Sequence, residues 1–131
     1  MPPKRLKKYS SREKALFITR SALQRKPLDP VLLDVRKSCS FADYFLILSG
    51  TSVRQVQALA EHLDETLGKQ GIRLRGQEGK ETGQWILMDF DDVIVHIFFE
   101  SARAFYDLEG LWMEASRLPL PEEDSLTEVS Q

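Results

Sequence analysis

The sequence predicts an α/β fold: a mixed five-stranded sheet with flanking helices, ending in a hairpin and then a helix. Three observations predict it. Short apolar runs of strand length alternate with longer amphipathic segments. Two of those runs, residues 85–90 and 93–99, are separated only by Asp91 and Asp92, which is the spacing of a tight hairpin. A strand, a helix and a further strand follow one another in mid-chain, so a right-handed crossover with parallel strands is the default. At 131 residues the chain has the size of one domain.

The elements follow in order. Ser10 and Glu13 have capping-box spacing, and Ala15, Leu16, Ile18, Ala22 and Leu23 recur at the helical period, placing a first helix over 11–25. Pro27 and Pro30 end it, because neither donates a backbone hydrogen bond and each restricts the residue before it. A first strand follows at 31–35. After the polar connection 38–42, the apolar and aromatic run 44–48 reads as a second strand. Gly50, Thr51 and Ser52 break it. Ser52 and Gln55 repeat the capping pattern ahead of Val56, Leu59, Ala60, Leu63 and Leu67, so a second helix begins there and closes at Gly68 and Gly71. Residues 72–75 alternate apolar and basic as a short third strand would. The loop 76–83, with three glycines, leads into the hairpin. Ser101 is placed to cap a last helix carrying Ala102, Phe105, Tyr106 and Leu108, which Gly110 kinks or divides before Leu111 and Trp112.

A two-residue turn fixes the hairpin register. It pairs Phe90 with Val93, Asp89 with Ile94, Met88 with Val95, Leu87 with His96, Ile86 with Ile97 and Trp85 with Phe98. One face then holds Ile86, Met88, Phe90, Val93, Val95 and Ile97 and belongs in the core. The other holds Trp85, Leu87, Asp89, Ile94, His96 and Phe98. That face has two readings. A carboxylate and an imidazole beside a tryptophan fit a protein interface, since an unpaired carboxylate is costly to bury. Alternatively, the first or the last helix covers the face and Asp89 accepts from a backbone donor.

Charge is distributed unevenly. Residues 1–15 carry +5 and residues 117–131 carry −3, which leaves −4 for the middle of a chain whose net charge is −2. A basic arm at 1–10, with Lys4, Arg5, Lys7 and Lys8, reads either as a local phosphate contact or as a solvated, frayed terminus. Residues 11–116 form the folded domain in this reading, and 117–131, opened by Pro119 and Pro121, an acidic disordered tail. No apolar stretch approaches the roughly 18 residues of a membrane span. No secretory or organellar leader is recognisable ahead of the domain, so a bacterial cytoplasmic location is expected. The lone Cys39 agrees with a reducing compartment.

Residue spacing also bears on enzymatic function. Asp89 and Asp91 form a D-x-D pair, and Gly50, Thr51 and Ser52 lie at a strand-to-helix turn, which hints at a nucleotidyltransferase. The strand after the glycine-bearing helix has no acid, however, and Asp91 lies in a turn where its carboxylate need not align with that of Asp89. His62 and His96 have no partner at metal-ligand spacing, and Cys39 has no base placed beside it. Neither a metal nor a cofactor is expected. Nucleotide transfer at Asp89 and Asp91 stands as the alternative function.

The segments LDVRKSCSFADYFLILSGTSVRQVQALAEHL, QEG and WILMDFDDVIVHIFFESARAFYDLEGLW resemble the ribosomal silencing factor family, also called Iojap-like, over residues 33–112. One position departs from the family pattern: Asp91 stands where a glycine is usual in the hairpin turn. The resemblance implies a nucleotidyltransferase-like topology and a binding protein without catalysis. It implies attachment to the large ribosomal subunit, chiefly through a ribosomal protein on the intersubunit face, and obstruction of small-subunit joining. A role in large-subunit assembly and a homodimer are further implications. The implied protein-binding surface falls on Trp85, Ile86, Asp89 and Phe90, with Glu78 in the preceding loop. The facing argument supports Trp85 and Asp89 and places Ile86 inward. The basic arm would contact nearby ribosomal RNA.

Overall fold

A computed structural model describes residues 9–121. Its elements are α1 (Ser11–Leu23), β1 (Leu28–Asp34), β2 (Tyr44–Gly50), α2 (Val53–Lys69), β3 (Gly76–Glu78), β4 (Trp85–Asp89), β5 (Val93–Phe99), α3 (Glu100–Tyr106), α4 (Leu108–Leu111) and β6 (Ser116–Leu118). They form one mixed sheet in the order β3-β4-β5-β2-β1-β6. The β2/β5 pair is parallel and the other ladders are antiparallel. The sheet is therefore mixed, as expected, but has six strands where five were expected.

The sixth strand was hidden because three residues carry no alternation of their own. Leu118, Arg117 and Ser116 pair with Leu32, Leu33 and Asp34, so Arg117 and Leu118 belong to the sheet, not to the tail in which the sequence reading put them. The basic residues Lys4, Arg5, Lys7 and Lys8, and the tail beyond residue 121, lie outside the described residues.

The third strand was misplaced. Residues 72–75 are not a strand, and the ladder begins at Gly76. Gly71, at φ 82, closes α2 through bonds from the Ile72 amide to the Leu67 carbonyl and from its own amide to the Gly68 carbonyl. That closure aims Ile72 into the core, where it is 4 % exposed, and Arg75 supplies the first bond to β4 at 2.7 Å. β3 runs in the direction of β2 but pairs with β4 at the sheet edge. The crossover therefore joins strands that are not neighbours.

Capping follows the sequence. Ser10 and Glu13 form a reciprocal box on α1. At α2, Ser52 Oγ accepts the Gln55 amide at 3.0 Å, while the Gln55 side chain turns instead to the Thr51 amide at 2.7 Å. α3 begins at Glu100 without a side-chain cap, so Ser101 is not its N-cap. The break between α3 and α4 falls at Asp107, at φ 47, rather than at Gly110. Asp107 then caps α4 by accepting the Gly110 amide.

Two cores lie on opposite faces of the sheet. α1 and α2 cover Tyr44, Leu46, Leu48, Ile86, Met88, Phe90, Val93, Val95 and Ile97, each 0 % exposed. On the other face α3 and α4 bring Ala102 and Leu108 against Leu33, Phe45, Ile47, Ile94 and Phe98. The hairpin register is the one the turn length requires. Of its two turn residues only Asp91 has positive φ, at 81°, the pattern of a turn that prefers glycine in its first central position. Its ion pair with Arg75, 2.8 Å long, is solvent-exposed on both sides and offsets little of that strain. Asp91→Gly is expected to stabilise the fold by about 0.5 kcal/mol or more in urea titrations, since glycine enters this conformation without a Cβ penalty. A loss of stability would show that the carboxylate contacts outweigh the backbone term.

Candidate functional site

The outer face of the hairpin is divided between the two readings that the sequence allowed. Over β5 it is closed: Ile94, His96 and Phe98 are 6 %, 4 % and 0 % exposed. Over β4 it is half open, with Trp85, Leu87 and Asp89 only partly buried. Asp89 has the backbone donor of the covered-face reading, since its Oδ1 accepts the Asp91 amide at 2.8 Å, while Oδ2 has no hydrogen-bond partner among the described residues.

Trp85 is the centre of this surface. Its indole stacks on Phe98 with centroids 4.9 Å apart, meets Tyr106 at 4.9 Å, and donates Nε1–H to His96 Nδ1 at 3.1 Å. Glu78 is not in a loop as the sequence reading had it. It is an exposed residue of β3 paired with Leu87, which puts the two side chains on one face. Glu78, Gly79, Trp85 and Leu87 line a shallow cleft of about 230 Å³. Gly79 is required there: it has φ +87, and a Cβ would collide with the Trp85 carbonyl oxygen.

Ile86 and Phe90, which the resemblance assigns to the binding surface, do not lie on it. Both are 0 % exposed and point into the α1/α2 core, because odd and even residues of β4 alternate between faces. Sequence reasoning missed the exposure of Phe105 and Tyr106, at 81 % and 48 %. Their i+3 and i+4 spacing from the buried Ala102 is an inward pattern, so periodicity held no signal; the helix ends at once, with Tyr106 over Trp85 and Phe98. Leu111, Met113 and Phe41 add further exposed apolar area, at 76 %, 79 % and 66 %.

Arg103 fixes where this wall of aromatics stands. Its guanidinium grips Glu109 with two bonds of 2.9 Å and donates to the Asp29 carbonyl at 2.7 Å and to Ser49 Oγ at 2.8 Å. Hydrogen bonding to Arg103 holds the Glu109 carboxyl below its usual range despite partial burial.

The two acids of the enzymatic alternative are brought close in sequence but not in purpose. Asp91 is paired with Arg75, and Asp89 with the Asp91 amide. Asp92, the other turn residue, pairs with Lys14 of α1 at 2.8 Å. Among the described residues no three His, Cys, Asp or Glu are grouped to hold a metal ion. His62 ties α2 to α1: its Nε2 lies 3.0 Å from the Ser21 carbonyl oxygen. Cys39 is a free, partly buried thiol. No described helix is long and apolar enough to cross a membrane.

These features define a small α/β protein whose most distinctive surface is an aromatic face flanked by acids. A family profile described as "Ribosomal silencing factor during starvation" matches residues 8–131. The ribosomal silencing factor RsfS of Halalkalibacterium halodurans is 38 % identical over 111 residues, covering 84 % of this chain and 95 % of that protein. Its counterpart in Haemophilus influenzae is 45 % identical over 87 residues, 66 % of this chain and 85 % of that protein. A more distant relative, 30 % identical over 68 % of this chain and 40 % of its own length, is the mouse "Mitochondrial assembly of ribosomal large subunit protein 1". A crystal structure of a protein from Bacillus halodurans superposes with TM-score 0.72 at 36 % identity, over 82 % of this chain and 98 % of that one. The chain belongs to the ribosomal silencing factor family.

Burial pushes the His96 imidazole down to about 4. Unfolded, it titrates near 6.5, so the unfolded chain takes up a proton that the folded one refuses. The stability this contributes is complete above about pH 6.5 and is lost as the pH falls toward 4, by on the order of 3 kcal/mol in all. Chemical denaturation across that window is expected to show a shallower pH slope for His96→Asn than for the native chain. Equal slopes would mean that the imidazole is not held neutral by the fold.

Proposed function

We propose that this protein is a ribosomal silencing factor that represses translation by occupying space. It binds the large ribosomal subunit at a protein on the intersubunit face, obstructs small-subunit joining, and takes part in large-subunit assembly. No bond is made or broken in this reading, and repression scales with occupancy. The site of action is the bacterial cytoplasm.

The observation that carries the reading is the half-open β4 face: a tryptophan stacked on Phe98, with Glu78 beside Leu87 on the neighbouring strand and Asp89, whose Oδ2 has no partner among the described residues, further along β4. A partly exposed tryptophan packed among other aromatic rings, with acids nearby, has the composition of a binding hot spot. The two acids fit a basic partner, as ribosomal proteins are. Ile86 and Phe90 support the face from inside the core and do not touch the partner.

Co-sedimentation with separated large subunits tests the surface. Trp85→Ala is expected to weaken binding by on the order of 2 kcal/mol, roughly thirtyfold, with the fold preserved. Undiminished binding by a folded variant refutes this face as the docking surface. The basic arm is assigned to ribosomal RNA on its charge alone. Removing residues 1–8, which spares Tyr9 and its stacking on Phe17 at 5.9 Å, is expected to weaken binding and flatten its salt dependence. An unchanged salt slope would remove the arm from the interface.

A further inference from the structure

An imidazole is a costly side chain to bury where His96 stands. It is 4 % exposed and surrounded by the rings of Phe45, Trp85 and Phe98, with centroids 5.0, 5.9 and 6.5 Å away. The Trp85 indole can only donate, so His96 Nδ1 must be the acceptor of their 3.1 Å bond and the ring proton resides on Nε2. That Nε2 is buried without a hydrogen-bond partner among the described residues. A buried donor left unpaired is destabilising, and nearly all such groups in folded proteins are satisfied. Phenylalanine, a somewhat larger ring, would pack among the same aromatic neighbours with no orphaned N–H. It cannot accept a hydrogen bond from an indole. Among the described residues, the one polar bond the ring makes is therefore the bond to Trp85.

Trp85 has a use for that bond. Stacking on Phe98 and the tilted contact with Tyr106 define how far the indole stands off the sheet, but ring contacts of this kind have broad minima and leave rotation within the ring plane weakly determined. A directional N–H···N bond sets that angle. Burial keeps the imidazole neutral throughout the neutral pH range, so the acceptor is always present.

We propose that His96 is a positioning residue of the docking face: through Nδ1 it holds the Trp85 indole at one angle on β4, ready for a basic protein partner to close over it. The inference rests on the reading of Trp85 as the docking anchor. Its gain is preorganisation, because an anchor already held in its bound rotamer loses less freedom on association.

The test compares His96→Phe, which keeps an aromatic ring and removes the acceptor, with His96→Asn, whose Oδ1 can occupy the place of Nδ1. Each is read twice: by hydrogen exchange of the Trp85 indole N–H in ¹⁵N NMR, assigned with Trp85→Phe, and by affinity for purified large subunits. His96→Phe is expected to exchange its indole proton faster and to bind about tenfold more weakly, the loss of one fixed side-chain orientation, with His96→Asn recovering both. An indole proton equally protected in His96→Phe overturns the proposal. So does a loosened indole with full affinity while Trp85→Ala still binds poorly. If Trp85→Ala itself binds normally, the docking reading fails, and this inference with it, although the indole data still report whether His96 holds the ring. Should His96→Phe fail to fold, the native protein decides: imidazole nitrogen shifts must show Nδ1 unprotonated, and a proton on Nδ1 overturns the assignment.

Discussion

Two turn residues, Asp91 and Asp92, set the register of β4 against β5, and the arrangement of the rest of the molecule follows from it. Because side chains alternate with period two, a slip of one residue would send Ile86, Met88, Phe90, Val93, Val95 and Ile97 to the wrong face. Burial of six such side chains is worth on the order of 10 kcal/mol, comparable with the whole stability of a domain, so the slipped register is not a competitor. The turn is also tied to three other segments. Arg75 takes Asp91, Lys14 of α1 takes the Asp92 carboxylate, and the Asp92 carbonyl accepts from the Asp43 and Tyr44 amides at the start of β2. The strand ladder, the first helix and the parallel partner of β5 therefore converge on one corner, which explains how a non-glycine residue is held at positive φ there.

The same register decides what the outer face offers, and Arg103 decides how much of it is covered. A guanidinium that is largely buried is tolerable only when its donors are used, and here Glu109, the Asp29 carbonyl and Ser49 Oγ use them. These bonds pin the short α3–α4 unit over β1, β2 and β5. The seven residues of α3 pack on Phe98 and end beside Trp85, so β4 stays half open. Coverage of one strand and exposure of its neighbour are two results of one clamp. The buried imidazole sits at the boundary, where the closed part of the face meets the open part.

Much of this was legible in the residues. Hairpin register, the sorting of its two faces, the two capped helices and the outward Trp85 and Asp89 all follow from local rules: period, cap spacing and turn length. The misreadings share a different cause. β3 and β6 are three-residue edge strands that exist only because a neighbour offers a ladder, and no pattern within Gly76–Glu78 or Ser116–Leu118 announces them. Phe105 and Tyr106 carry an inward helical spacing and are nevertheless exposed, because the helix stops at Asp107 before anything covers them. The family resemblance grouped Ile86 and Phe90 with Trp85 and Asp89 along one strand. Proximity in sequence suits a motif, but the pleat sends alternate members to opposite sides, and only two of those four can face a partner.

An open aromatic face beside sheet edges is an aggregation hazard, and the two kinds of exposure are handled differently here. Both edges are blunted by their shortness: β3 and β6 have three residues each, and β3 is polar and exposed throughout before the chain turns away at Gly79, with φ 87. Strand addition therefore has almost no template. The apolar side chains, by contrast, remain open over β4 and α3. Short edges together with accessible Trp85, Tyr106 and Phe105 suit contact through side chains on a face better than β-augmentation by an extended peptide. In the docking role proposed above, such a face calls for a partner with a folded, complementary surface. In that role it would discriminate by shape and charge, and its specificity would depend on how firmly the central indole is held, more than on the total apolar area presented.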